Sequence, residues 1–171
     1  MLVRRELAGD EAAIRAVTAA AFTPLGEDVP AEAPLVDELR ASQAWIPELS
    51  LVAADRDGDV IGHVLCTRGS IGAAAALGLG PLSVRPDRQR SGVGKALMHA
   101  VLGAADALGE PVVVLLGSTG YYPRFGFRLA SEYGITPQRP EWAAHFQVRT
   151  LTAYDPALRG EFAYPEPFDR V

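Results

Sequence analysis

From Leu82 to Lys95 the chain runs Leu-Ser-Val-Arg-Pro-Asp-Arg-Gln-Arg-Ser-Gly-Val-Gly-Lys, an apolar run, a cationic turn and two glycines in succession. A helix must follow. Val93, Leu97, Val101, Ala104 and Leu108 recur on one stripe, and Gly109 is the natural residue to end it. Next comes Pro111 to Leu116, "PVVVLL", a short β-rich run of the kind that lies fully buried. Strand, helix and strand in that order imply at least one parallel crossover.

The rest of the chain is not strictly alternating. Leu2 to Leu7 reads as a strand, and Asp10 as the N-cap of a helix carrying Ile14, Val17 and Ala21. A second helix is expected over Ala33 to Ser42, with Leu35, Val36 and Leu39 inward. Leu49 to Ala54 and Val60 to Thr67 flank Asp55-Arg56-Asp57-Gly58-Asp59, and Asp-Gly is a strong hairpin signal. Ile71 to Gly80, "IGAAAALGLG", reads as a loop leading into a strand over Gly78 to Val84, which Pro86 stops. Ser118 to Phe125 suits a short helix or turn, and Gln147 to Ala153 a last strand. The order β, α, α, β, β, β, α, β, α, β describes a mixed α/β protein with an antiparallel start, not a doubly wound fold.

Bulk properties narrow the functions. A chain of 171 residues suits one domain, with 49 % hydrophobic residues and a core that needs no staples. No apolar stretch is long enough to span a membrane, and the N-terminus MLVRRELAGDE lacks an apolar signal core. The single Cys66 excludes an internal disulfide and a cysteine-rich zinc site, and fits a reducing cytoplasm. A net charge of −5 argues against nucleic acid as the main partner.

Three phosphate-binding arrangements start a helix with glycines. A nucleotide-hydrolase loop, Gly-x-x-x-x-Gly-Lys-Ser/Thr, fails because Gln89 stands at its first glycine and Ala96 at its metal-binding hydroxyl. A dinucleotide fingerprint, Gly-x-Gly-x-x-Gly, fails because Leu97 stands at its third glycine and five residues separate Val84 from Arg90. What remains is a cationic loop feeding a helix whose free N–H groups and dipole attract an anion such as a pyrophosphate. On the residues alone, a turn shaped by glycines with solvated arginines is an equal reading.

The flanking sequence distinguishes the two. "LSVRPDRQRSGVGKALM" resembles the acetyl-CoA-binding motif of the GNAT N-acetyltransferase superfamily, a strand followed by Gln/Arg-x-x-Gly-x-Gly/Ala, met here by Gln89, Gly92 and Gly94. "GYYPRFGF", Gly120 to Phe127, resembles the family's Tyr-x-x-x-Gly-Phe element, and "GHV" at Gly62 and "VRREL" at Val3 also fit. "LGPLSV" and "YYPRFGF" look like the bacterial YhbS-type branch of predicted acetyltransferases.

The resemblance implies a single GNAT domain over 1–171: one mixed, mostly antiparallel sheet with a splayed parallel pair and about four flanking helices. The stretch from about 147 would complete the sheet or the acceptor site. Acetyl-CoA would be the co-substrate, with no metal. Pantetheine would pair with the backbone of Leu82, Ser83 and Val84, and the pyrophosphate would sit on Gln89, Arg90, Ser91, Gly92, Val93, Gly94 and Lys95. An N–H of the Leu82 to Val84 strand would stabilise the oxyanion. Tyr122 matches the family's general acid, with Tyr121 the second choice.

The family's general base is not fixed. Glu27 is the first candidate, beside Asp28 and Glu32, in the loop where such proteins build the acceptor site. His63 and Cys66 read as packing residues, and Trp45 and Trp142 either line the acceptor groove or pack. The acceptor would be a small-molecule amine or a protein amino group. A homodimer is compatible with the fold, and "GEFAYPEPFDRV" at the C-terminus can pack on its own domain or on a partner. The competing class is a non-catalytic acyl-CoA-binding module, and a third reading is another acyl donor.

Overall fold

The structure is a computed structural model that describes residues 1–23 and 30–170. Among the described residues nine strands form one mixed sheet. β1 (Leu2–Arg5), β2 (Ser50–Ala54), β3 (Val60–Ile71) and β4 (Ala74–Val84) follow one another antiparallel. β5 (Val112–Leu116) joins β4 in parallel, the pairing that a crossover helix requires. β8 (Phe146–Thr150) and then β6 (Arg128–Leu129) extend that side antiparallel. β9 (Gly160–Ala163) joins the far end of β3 and pairs with β7 (Ile135–Pro137).

Helices cover both faces. α3 (Val93–Ala107) lays Val93, Leu97, Met98 and Val101 against Leu51, Ile61, Val64, Leu77 and Val113. On the other face α1 (Glu11–Phe22) and α2 (Glu32–Ala41) bring Ile14, Val17, Leu35 and Leu39 onto Val52, Val60 and Leu65. Val64 and Leu65 therefore point to opposite cores, as strand geometry demands. Burial on both faces explains why β3 reads as a nearly continuous apolar run. Each fully buried leucine in these layers contributes about 1.5–3 kcal/mol. Gly62 lets α3 lie close, since a Cβ there would stand 2.9 Å from Val93 Cγ1.

Several elements differ from the sequence reading. Among the described residues there are three α-helices rather than about four, because Tyr122–Phe125 closes only a 3₁₀ turn. Ile71 to Gly80 is not a loop. β3 runs on to Ile71, Gly72 turns at φ +57°, and β4 begins at Ala74. A run of small residues suits a tight hairpin because glycine takes the positive φ such turns need. Asp10 stands at the N-cap of α1, but its carboxylate accepts from the Leu7 N–H at 2.8 Å and pairs with Arg4 instead of capping the helix. β6, β7 and β9 are two to four residues long, too short to leave a periodic signal.

The C-terminal segment packs on its own chain. A Cβ on Gly69 would overlap the Phe162 ring, and one on Gly78 would stand 3.0 Å from the Tyr164 ring. The two glycines thus leave a trough in the sheet, and Phe162 fills it completely buried. No helix of the described residues is long and apolar enough to cross a membrane.

Candidate functional site

β4 and β5 share only two paired positions, Leu77 with Val113 and Gly78 with Val114. Beyond them β4 continues to Val84 while β5 pairs away with β8 through Leu116. The strands part, and one edge of β4 from Leu79 onward faces an opening. The Gln89 side chain donates from Nε2 to the Val84 carbonyl at 3.1 Å, at the end of this edge.

The turn after β4 borders the same opening. Arg90 holds φ +58° and Gly92, the N-cap of α3, φ +92°. Glycine takes this conformation freely, whereas an arginine there is strained and must be held by its surroundings. The first bond of α3 runs from the Ala96 N–H to the Gly92 carbonyl. The N–H groups of Val93, Gly94 and Lys95 therefore lack intrahelical acceptors. At this end of α3, Gly92, Gly94 and Lys95 line a groove of about 710 Å³ with Ala21, Phe22, Leu82, Val84, Gln89, Arg90, Tyr121 and Arg124. Three cations and a helix N-terminus suit a polyanion.

Seven of the ten residues expected at a cofactor site line this groove. The other three turn their side chains elsewhere. Ser83 is buried, its Oγ 3.2 Å from Thr18 Oγ1. The Ser91 hydroxyl donates to the Arg88 carbonyl, and Val93 is in the core beneath α3. Only their backbones can serve a ligand. Arg124 was missed. Its signal was present, since the 3₁₀ turn sets it three residues past Tyr121, over whose ring its guanidinium lies 4.7 Å from the centroid. Ala21 and Phe22 left no such signal, because α1 reaches the groove only through tertiary packing.

The two tyrosines diverge. Their rings meet edge to face, 5.0 Å between centroids. Tyr121 lines the cationic groove, its hydroxyl 3.1 Å from where a Cβ on Gly94 would stand. Tyr122 points into a second hollow and packs on Phe127, with ring centroids 5.9 Å apart. Gly117 lies beneath it, where a Cβ would overlap the Tyr122 ring. Burial pushes the Tyr122 phenol up to about 12, and neighbouring Tyr121 adds to the shift. Burial also raises Tyr121, against the pull of Arg124.

The second hollow has about 270 Å³ and meets the groove at Phe22 and Leu82, which line both. Glu32 is the one charged side chain among its described lining residues. Glu27 and Asp28 lie outside the described residues. Trp142 lines this hollow, whereas Trp45 packs beneath the Arg40 guanidinium. His63 is fully buried, with Nε2 2.9 Å from Ser50 Oγ and Nδ1 unbonded. Burial and nearby Arg40 push its pKa down to about 3, so it stays neutral and packs. Burial raises the Cys66 thiol, which stays inert. Among the described residues no cluster of His, Cys, Asp and Glu could hold a metal ion.

Comparison with known proteins bears on this geometry. Residues 15–127 match the family model described as Acetyltransferase (GNAT) family. The chain is 33 % identical over 175 residues to the uncharacterized N-acetyltransferase YhbS of Escherichia coli (strain K12), covering 99 % of each. The crystal structure of E. coli YhbS in complex with CoA superposes with a TM-score of 0.89 at 31 % identity, over 99 % of this chain and 92 % of that one. A GNAT family acetyltransferase from Brucella melitensis, solved with acetyl-CoA, gives 0.80 at 38 % identity, over 98 % and 97 %. The architecture is the GNAT fold, with its mostly antiparallel sheet and parted parallel pair.

Proposed function

Since the chain belongs to the GNAT acetyltransferase family, we propose that it moves an acetyl group from acetyl-CoA to a primary amine by direct attack. The observation that carries this is the junction at Leu82 and Phe22. A cationic groove at a helix N-terminus shares these two wall residues with a hollow lined by a mostly buried phenol. The two structural relatives solved with CoA or acetyl-CoA support the same ligand here.

The pyrophosphate lies on the N–H groups of Val93, Gly94 and Lys95, with Arg90, Lys95 and Arg124 around it. The pantetheine arm follows the open edge of β4, and Gln89 releases the Val84 carbonyl to it. The thioester carbonyl then reaches the junction, where a β4 N–H stabilises its oxygen. The neutral amine nitrogen bonds to the carbonyl carbon, the carbon–sulfur bond breaks, and the nitrogen loses one proton to solvent. Tyr122 gives its proton to the departing thiolate and is later reprotonated from solvent. A phenol near 12 is a weak acid for a thiolate of ordinary basicity. The same apolar walls, however, strip water from the thiolate and raise its proton affinity too.

Thermal unfolding with acetyl-CoA, CoA, ATP-Mg²⁺ and NADH tests the cofactor. Ligand at about 100 times its dissociation constant adds roughly 2.7 kcal/mol, and only the two CoA species should raise the midpoint. Tyr122→Phe should lower kcat by about 10²-fold or more while that midpoint shift persists. Intact CoA binding without turnover of any amine would instead favour a binding module.

A further inference from the structure

We propose that the acceptor is a small primary amine carried on an aromatic or branched-alkyl stem, without a carboxylate, and that Glu32 receives it as an ammonium, which gives one proton to solvent before the neutral nitrogen attacks. The inference rests on the acetyl-transfer reading above and names the other substrate of the same site. It comes from the lining of the second hollow. Five aromatic side chains converge there: Phe22, Tyr122, Trp142, Tyr164 and Phe168. Aliphatic Leu35, Leu79, Pro81, Leu82 and Leu116 complete the walls.

Charge selects the amine. Glu32 supplies one negative charge, and no lysine, arginine or histidine stands among the described lining residues. Aromatic faces attract a cation through their quadrupoles, and a carboxylate at the rim adds a charge-assisted hydrogen bond. A carboxylate on the ligand would have no cation to meet and would be desolvated against the rings. Amino acids are thereby disfavoured against the corresponding amines. Polyamines fit poorly as well, since among the described lining residues Glu32 alone could pair their several charges.

Size and exposure point the same way. A hollow of about 270 Å³ is at the small end of ligand sites. Phe22 and Leu116 are among the few large apolar side chains exposed at the surface, and both belong to this lining. An apolar ligand stem would cover them. A peptide would need a run of backbone partners, and the open edge of β4 already serves the cofactor.

A steady-state assay with acetyl-CoA and free-thiol detection tests this with four acceptors: phenethylamine, phenylalanine, spermidine and a peptide with N-terminal alanine. Phenethylamine should show the highest kcat/KM, at least about tenfold above phenylalanine, which differs only by its carboxylate. Glu32→Gln should raise the KM for phenethylamine about tenfold or more while leaving the midpoint shift with acetyl-CoA unchanged. Trp142→Ala should weaken phenethylamine as well, and Trp142→Phe should restore most of the loss. Calorimetry of phenethylamine into the CoA-bound protein gives a readout independent of turnover.

Equal or better use of spermidine, phenylalanine or the peptide overturns the acceptor assignment. So does absence of both phenethylamine binding and acetylation, or a Glu32→Gln variant with an unchanged KM. In each of those cases a persisting shift with acetyl-CoA leaves the transferase reading standing. Loss of that shift in the unmodified protein removes the reading itself.

Discussion

The cofactor groove and the acceptor hollow touch at Leu82 and Phe22, yet they are built in opposite ways. The groove is mostly one contiguous stretch, from Leu82 to Lys95, and its chief binding groups are backbone N–H and C=O. The hollow gathers side chains from α1, α2, β4, β5, the Tyr122 turn, the Trp142 turn and the segment after β9. Backbone recognition needs a turn of fixed shape, so glycine spacing encodes it. Side-chain recognition needs only that distant residues arrive together, so no spacing encodes it. One site should therefore respond to substitution through conformation and the other through packing.

The largest effect is expected on the packing side. Gly117 is fixed from both flanks: its N–H donates to the His145 carbonyl at 3.0 Å, and Gln147 Nε2 donates to its carbonyl at 3.0 Å. It cannot retreat, so a methyl group there must move the Tyr122 ring. Gly117→Ala is expected to lower kcat by about 10²-fold, the cost of misplacing a reacting group by roughly an ångström. The KM for acetyl-CoA should stay nearly unchanged. Equal losses in kcat and in acetyl-CoA affinity would show that the two sites are mechanically one.

A conformational change on the groove side is next. Gly92 sits at φ +92° with open space where a side chain would go. Gly92→Ala thus meets no clash and carries only backbone strain, about 1–2 kcal/mol. If the strain is relieved by turning the N–H groups of α3 away, CoA binding weakens by about tenfold in calorimetry. If the turn holds its shape, the same strain lowers the unfolding midpoint by about 2–4 °C per kcal/mol with affinity intact. Intact affinity and an intact midpoint together would mean that backbone shape does not define this site.

The same division explains what the sequence made legible. The strand, turn and helix from Leu82 to Ala107 were readable because apolar periodicity and glycine spacing are local. The Tyr122 turn was readable because a motif of six residues carries both the phenol and the Gly126 that ends it at φ +84°. Its direction was not, since only the packing of Phe127 and Gly117 sends Tyr122 to the hollow and Tyr121 to the groove. Arg124 is an intermediate case, visible as a cation in the motif but placed by its stacking on Tyr121. Phe22, Tyr164 and Phe168 were invisible as site residues. Tyr164 arrives because Gly78, more than eighty residues earlier, leaves room for its ring. The hairpin at Gly72 is hidden in the sequence for a related reason, since alanines and glycines carry no apolar alternation even when they pair in register.

The smallest effect is an expected absence. Burial raises the Tyr122 phenol to about 12, and the protonated form is the one that serves the leaving thiolate. An unfolded tyrosine ionises near pH 10, so the folded phenol keeps its proton as pH rises past that point. The stability this contributes is fully present below about pH 10 and is lost as pH rises from there through about 12, where the folded phenol ionises too. At saturating substrates, kcat should therefore show no alkaline decline up to about pH 10. A phenolate absorbance titration of the protein minus that of Tyr122→Phe should place this phenol above the others. A decline centred near pH 10 that disappears in Tyr122→Phe would mean that water reaches the ring. The hollow would then be a wet cleft, and the contrast between a backbone-made groove and a packed apolar pocket would fail on the pocket's side.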